Sequence, residues 1–404
     1  MARVDVVICS HPAANCELYL DFGKPLVIYA TTRLEFGRLD RFVEWRKPFI
    51  TDSSLGRWQA WVATVKRLAS QPWNAVLANN WYDAHYIKYH TGVMPLVLPS
   101  WCGDHAHAEY RPEGVEILIV PYRDNLDFPK FRSQETWQHP VLAGMLREMG
   151  VAFGTEAAWP FTFARLRDRH PRYTFDQVAK HPAVLYIPYQ ASVMSFFELY
   201  RTSVPIFAPS HALLCEWQRD HGLAWERVYG DPPRQDFSWD FRFNPNSERT
   251  DDACAWLAFS DQYHTPHVIL FNSWQHFVGL LRTTDLLAVS RRMTHHSKGL
   301  YANLSFTWHH LLYSIVAANG DRQRSLNATA QYSSAQSSHM ELDKTIPPRM
   351  RVGMICACCL LAVVFACMAW ITRLWWPHKA TLRRCAVVSD GFFRGWCCRR
   401  ARRW

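Results

Sequence analysis

Four side chains in residues 181–210, HPAVLYIPYQASVMSFFELYRTSVPIFAPS, have types and spacings suited to a polar ligand: Gln190, Ser192, Ser195 and Glu198. Two apolar runs, Ala183–Ile187 and Val204–Phe207, bracket them. Each run is short enough for a buried parallel strand and is followed by proline and small polar residues. Between the runs, Ser192 reads as an N-cap, and Met194, Phe197 and Tyr200 recur at helical spacing, which predicts a helix over Ser192–Arg201. Strand, polar loop, helix, strand is a crossover unit of an α/β domain, and ligands bind outside the carboxyl ends of its strands. Here those ends are Pro188–Ser195 and Ala208–Ser210. A carboxylate one turn into the helix, Glu198, can reach a ribose or sugar hydroxyl.

The elements that must hold this unit are read from hydrophobic pattern. Strands are predicted at Val4–Cys9, Pro25–Thr31, Ala75–Ala78 and Leu96–Leu98, with a helix carrying Trp58, Trp61, Val62, Val65 and Leu68 on one face and another running through Tyr89. This alternation is that of a parallel sheet. Trp101–Pro112 reads as a linker; its Cys102, Asp104, His105 and His107 are metal-ligand types, and the plainer reading is a polar hinge. A second α/β set starts at Glu116–Tyr122, with a helix near Val141–Met149, a short strand at Val151–Phe153 and a basic amphipathic helix over Phe161–Arg169. After residue 210 come a helix at Leu213–Trp217, a loop over Asp231–Arg249, an apolar segment at Tyr263–Ser273, and helical stretches at Leu286–Met293 and Trp308–Leu312.

The net charge of +10 is concentrated in the tail, where Lys379–Arg403 holds eight Lys and Arg against Asp390 alone. A basic groove on the folded part, and with it nucleic-acid binding, is therefore not indicated. Of 12 cysteines, seven lie at or beyond Cys356, and the other five (Cys9, Cys16, Cys102, Cys215 and Cys254) are scattered and show no readable disulfide framework. Gly-x-Ser-x-Gly, Gly-x4-Gly-Lys-Ser/Thr, Gly-x-Gly-x-x-Gly and Asp-x-Asp are all absent from the sequence.

Gln190, seven residues, Glu198 and then Val204-Pro205-Ile206 resemble the donor-site signature of GT-B glycosyltransferases: Glu, seven residues, Glu, and a Gly-x-Pro-Val-type strand. This sequence has Gln190 in place of the first acid and Ser203 in place of the glycine. Tyr263–Ser273, Trp274 with Gly279-Leu280-Leu281, Leu286–Met293 and Trp308–Leu312 resemble the end of that family's second domain. The resemblance spans residues 1–316, most closely 181–210. It implies two Rossmann-like α/β domains facing a cleft and metal-independent transfer of a sugar from a nucleotide-diphosphate sugar, which is a co-substrate, with no further cofactor. Glu198 would hold the donor ribose and Gln190 the transferred sugar. The acceptor, a glycan, protein or lipid, is not identified. The first domain is shorter than the family's commonly is, which suggests that its first strands are missing.

In such a cleft the diphosphate needs a fixed cation and helix N–H groups. Arg123, at the end of the first strand of the second domain, is the candidate cation, with Ser192 and Ser195 at the helix start. Their plainer readings are a surface ion-pair partner and an N-cap. If the reaction inverts configuration, a general base belongs at a strand end of the first domain. His11 and Asp83 are the candidates, readable equally as a strand-terminating turn residue and a helix cap.

Residues 320–344 are polar and rich in Ser, Gln and Asn, and read as a flexible stalk. Val352–Trp376 is uncharged through Thr372, about the ~20 residues that cross a hydrocarbon core, and Trp370, Trp375 and Trp376 sit where an aromatic belt belongs. The expected organisation is an acceptor-side domain over 1–108, a donor domain over 109–318, a stalk over 319–350, a transmembrane helix over 351–376 and a basic tail over 377–404. The Arg-rich tail predicts a cytosolic C-terminus and a lumenal or extracellular large domain, on an endomembrane (ER or Golgi) or the cell surface; the alternative topology is tail-anchored insertion with a cytosolic large domain. The alternative is a non-catalytic membrane protein whose degenerate transferase-like scaffold binds glycans or partner proteins.

Overall fold

The computed structural model describes residues 4–31, 52–120, 161–224, 238–247, 249–341 and 385–389, with positions 34, 141, 144, 145, 147 and 234. These form two five-stranded parallel sheets flanked by helices, a mixed α/β architecture. The first sheet contains β1 (Val6–His11), β2 (Leu26–Ala30), β3 (Ala75–Ala78) and β4 (Leu96–Val97). The second contains β5 (Glu116–Val120), β6 (Thr162–Arg165), β7 (Val184–Tyr186), β8 (Ile206–Pro209) and β9 (Ile269–Phe271). A tenth strand, β10 (Cys385–Ser389), joins the first sheet beside β1. The central strands are unbroken apolar runs because parallel strands are covered on both faces; Val184, Leu185 and Tyr186 are completely buried.

Strand order locates the crevices. The second sheet runs β6-β5-β7-β8-β9, so the chain leaves β5 in one direction and returns to its other side, making a switch point between β5 and β7. The first runs β10-β1-β2-β3-β4, with its switch point between β1 and β10.

The helices are α1 (Asp52–Ala69), α2 (Trp81–Thr91), α3 (Leu166–Arg169), α4 (Phe175–Val178), α5 (Met194–Arg201), α6 (His211–His221), α7 (Thr250–Leu257), α8 (Asp261–His264), α9 (Trp274–Thr283) and α10 (Leu286–Glu341). A 3-10 helix, Ala13–Phe22, follows β1. Helix α1 buries the face predicted for it: Trp58, Trp61, Val62 and Val65 are inside, and the Trp61 indole donates to the Leu34 carbonyl at 3.0 Å. The two halves share a core. Tyr82, Tyr86 and Tyr89 of α2 surround Trp256 of α7 at ring separations of 5.3, 6.2 and 5.8 Å.

Helix α10 straps both sheets. Val289 and Met293 pack in the core over β7 and β8, while Leu304 and Ile315 pack with Val6, Ile8 and Val27 of the first sheet. The expected stalk is therefore corrected over its described part: one 56-residue helix runs through to Glu341. Polar composition does not stop a helix, and after Gly320 the sequence offers no proline before Pro347 while adding an Asp321–Arg324 pair one turn apart. Phe161–Arg169 is likewise not one helix. Residues 162–165 form β6, paired parallel along the edge of β5, and only the last four are helical. Cys9 and Cys16 are joined by a disulfide, a pairing not legible in their spacing. Among the described residues no helix is long and apolar enough to cross a membrane; the run 352–376 lies outside them, as does the strand expected at 151–153.

Candidate functional site

The β5/β7 switch point opens onto the loop between β7 and α5. Its first residue is bonded to the β5 end, with the Ile187 N–H donating to the Val120 carbonyl at 2.8 Å. Gln190 and Ser192 stand half-buried in this loop, and Ser195 is half-buried in the first turn of α5. Ser192 is not the N-cap. The helix begins at Met194 after an extended Val193 (φ −138°, ψ 123°) that makes no side-chain cap bond. A distant carboxylate holds the helix entry by a different bond: Asp261, at the start of α8, accepts the N–H of Val193 itself at 3.3 Å and donates its own N–H to the Ala191 carbonyl at 3.0 Å. These paired bonds tie the loop to α8 and satisfy the orphan N–H of the N-cap residue.

Glu198 lies in the second turn of α5 and is 5% exposed. His105, in the segment between β4 and β5, donates from Nε2 to Glu198 Oε1 at 3.2 Å. Burial pushes the Glu198 carboxyl above its usual range, against the opposing pull of the His105 hydrogen bond, the His105 charge and Arg167. The surrounding side chains are aromatic: Phe175 meets the His105 ring at 6.0 Å and Tyr173 meets Phe175 at 6.0 Å. Burial, with the Glu198 charge next, raises the Tyr173 phenol, and the Arg167 guanidinium lies 5.1 Å over its ring. Arg201, one turn after Glu198, donates to the Trp101 carbonyl at 2.8 Å and stacks over the Trp101 ring. Helix α5 therefore grips the segment at two points, while Leu98 still belongs to the first sheet through the Ala78 carbonyl at 2.8 Å.

The first sheet presents its own strand ends to this region. Asn79, just past β3, donates to Ser100 Oγ at 3.3 Å, and both touch the Met194 sulfur at the start of α5, at 3.8 and 3.7 Å. Beside them Trp81, the first residue of α2, faces His264 of α8 at 5.9 Å. The carboxyl ends of β3 and β7 thus meet across a common boundary. Asp83 is close by, but its side chain is engaged in the cap of α2. Asn80 Oδ1 accepts the Asp83 N–H at 2.7 Å, and Asn80 Nδ2 donates back to the Asp83 carboxylate at 2.7 Å. This reciprocal arrangement is a structural job for Asp83. His11 ends β1 opposite Ser389 of β10, at the other switch point. Two strand spacings separate β1 from β3, so His11 sits ~10 Å along the sheet from Asn79.

Arg123 lies outside the described residues. Among the described residues no three Cys, His, Asp or Glu side chains converge as metal ligands do, and the contact made by His105 is with Glu198. Two residues that shape the site were not singled out for it in the sequence. Asp261 lies 68 residues from the N–H it accepts, and His105 lies 93 from its carboxylate; no periodicity or short motif spans such distances. A scan against protein-family models finds no match, and a search of curated proteins finds none.

Proposed function

We propose that the chain is a GT-B-like glycosyltransferase that moves a sugar from a nucleotide-diphosphate sugar to a glycan, protein or lipid acceptor. The observation that carries the reading is the placement of Glu198 and Gln190 at a topological switch point. Open α/β sheets bind ligands at such points, and Asn79 and Ser100 of the first sheet's strand ends touch Met194 at the start of the helix beside this one. Glu198 has one oxygen bonded to His105, and among the described residues none bonds the other. In this reading that second oxygen accepts from the donor ribose, Gln190 contacts the transferred sugar, and the N–H groups of Met194 and Ser195 with Arg123 face the diphosphate. His11, at the opposite switch point, is the acceptor-side base candidate that remains, since Asp83 serves the α2 cap.

The test is turnover. Full-length protein is incubated with UDP- and GDP-hexoses and an acceptor mixture, and nucleoside diphosphate release is followed for wild type and Glu198→Gln. Release by wild type that falls at least about tenfold in the variant supports the reading. Binding of nucleotide without release points to the non-catalytic scaffold, which the glutamine at position 190 and the cap role of Asp83 favour. Anchoring through residues 352–376, with the folded part in a lumen or outside the cell, is a separate proposal that rests on the uncharged run alone.

A further inference from the structure

The geometry points to His105 as the positioning residue of the nucleotide site: by holding one oxygen of Glu198 it aims the other at a ribose hydroxyl, and so makes the site select ribo- over deoxynucleotides. The inference rests on the donor reading of Glu198 and assigns a role that neither the resemblance nor the motif contains.

A glutamate side chain has three rotatable bonds, and fixing it on binding costs affinity unless something fixes it beforehand. Here the fixing group is in place, Nε2 of His105 at 3.2 Å from Oε1. The imidazole is itself held. It projects from a turn closed by the Ala106 N–H on the Cys102 carbonyl at 2.9 Å, with Ala106 completely buried and Cys102 at a φ of +54°. The ring rests edge-on to Phe175. One residue ahead of the turn, Trp101 is tied to Arg201 on the same helix face as Glu198, so turn and carboxylate cannot drift apart. The His105 side chain is 34% exposed and that of Glu198 only 7%, with Arg167 close enough for its charge to act on the Glu198 carboxyl and the Tyr173 phenol close enough to feel it. A ribose hydroxyl donating to the second oxygen of that carboxyl replaces the missing partner of a buried charge. A deoxy sugar leaves that oxygen unpaired, and a site built around a substrate hydroxyl rejects the analogue that lacks it.

The experiment titrates full-length wild type, His105→Ala, His105→Gln and Glu198→Gln with UDP, GDP and ADP, and with their 2′,3′-dideoxy counterparts, after thermal melting has confirmed that each variant is folded. Wild type should prefer one ribonucleotide over its dideoxy form by about tenfold to a hundredfold, the worth of a hydrogen bond to a charged group. His105→Ala should reduce that preference to within about threefold while leaving dideoxynucleotide affinity nearly unchanged, and His105→Gln, which keeps an N–H donor, should restore most of it. Equal loss of both nucleotide forms in His105→Ala, or retention of the wild-type preference, overturns the inference and leaves the donor reading standing. No binding of any nucleotide to folded wild type removes the donor reading, and this inference falls with it.

Discussion

A buried carboxylate is costly to keep ionised, and Glu198 is kept with a single hydrogen-bond donor among the described residues. Its folded-state pKa is raised above the ordinary 4.5 by burial, so the folded state disfavours the charge. The sign of the pH effect follows. The contribution of Glu198 to stability is fully present below about pH 4.5, and it is lost as pH rises from there through the raised folded pKa. Glu198→Gln keeps an acceptor for His105 and never ionises. Chemical denaturation at pH 7 should therefore find the variant as stable as wild type or more so, with wild type gaining on it by pH 4. A variant clearly less stable at pH 7, with the gap closing at pH 4, contradicts this. Gain of stability with loss of ligand binding is the pattern of a residue retained for function. Asp83 should behave in the opposite way. Asp83→Ala removes a buried cap interaction and should cost about 1–2 kcal/mol in the same assay.

At the scale of elements, the β7–α5–β8 unit was legible because two short apolar runs flank one amphipathic helix of about two turns, a pattern few other arrangements bury. Its helix start was not legible, because the cap falls at Val193, whose N–H is held by Asp261 from α8, and not at Ser192. The exit from α5 repeats the lesson. Ser203 stands where the resemblance places glycine, and its φ is +58°, a conformation glycine adopts without strain. The serine is tolerated with the Thr294 hydroxyl of α10 donating to its Oγ at 2.9 Å. Ser203→Gly exchanges strain for that bond and should shift stability by less than about 1 kcal/mol, whereas Ser203→Val, β-branched at positive φ, should cost more than about 2 kcal/mol. Thermal unfolding of the pair checks both, and equal effects would show that backbone strain does not decide the site. The edge strand β6 was read as helix because its basic and apolar residues fit both periods over four positions. Strand β10 was hidden by the charges around it, which describe the tail as a whole better than the five residues that pair.

For the molecule as a whole, the two-sheet plan was readable from strand–helix alternation. The joining of the sheets was not, since it depends on tertiary contacts: Trp256 among the α2 tyrosines, and one helix packing in both cores. The C-terminus sets two arrangements against each other. A single membrane crossing at 352–376 puts residues 385–389 across the bilayer from β1, whereas in the structure they pair with it, Val7 opposite Ala386. One chain cannot do both. Anchoring predicts that the protein stays in membranes through alkaline extraction and that a Val7→Cys, Ala386→Cys pair fails to cross-link. Extraction into the soluble fraction, with that cross-link formed, excludes the anchor. The central claim is that a nucleotide-diphosphate sugar binds where β5 and β7 part. Hydrogen exchange on the full chain, with and without saturating UDP, GDP and their hexose conjugates, tests it most directly. One of these ligands should slow exchange over 187–198 and in the 102–106 turn; no slowing by any of them, or slowing confined to other segments, contradicts the claim.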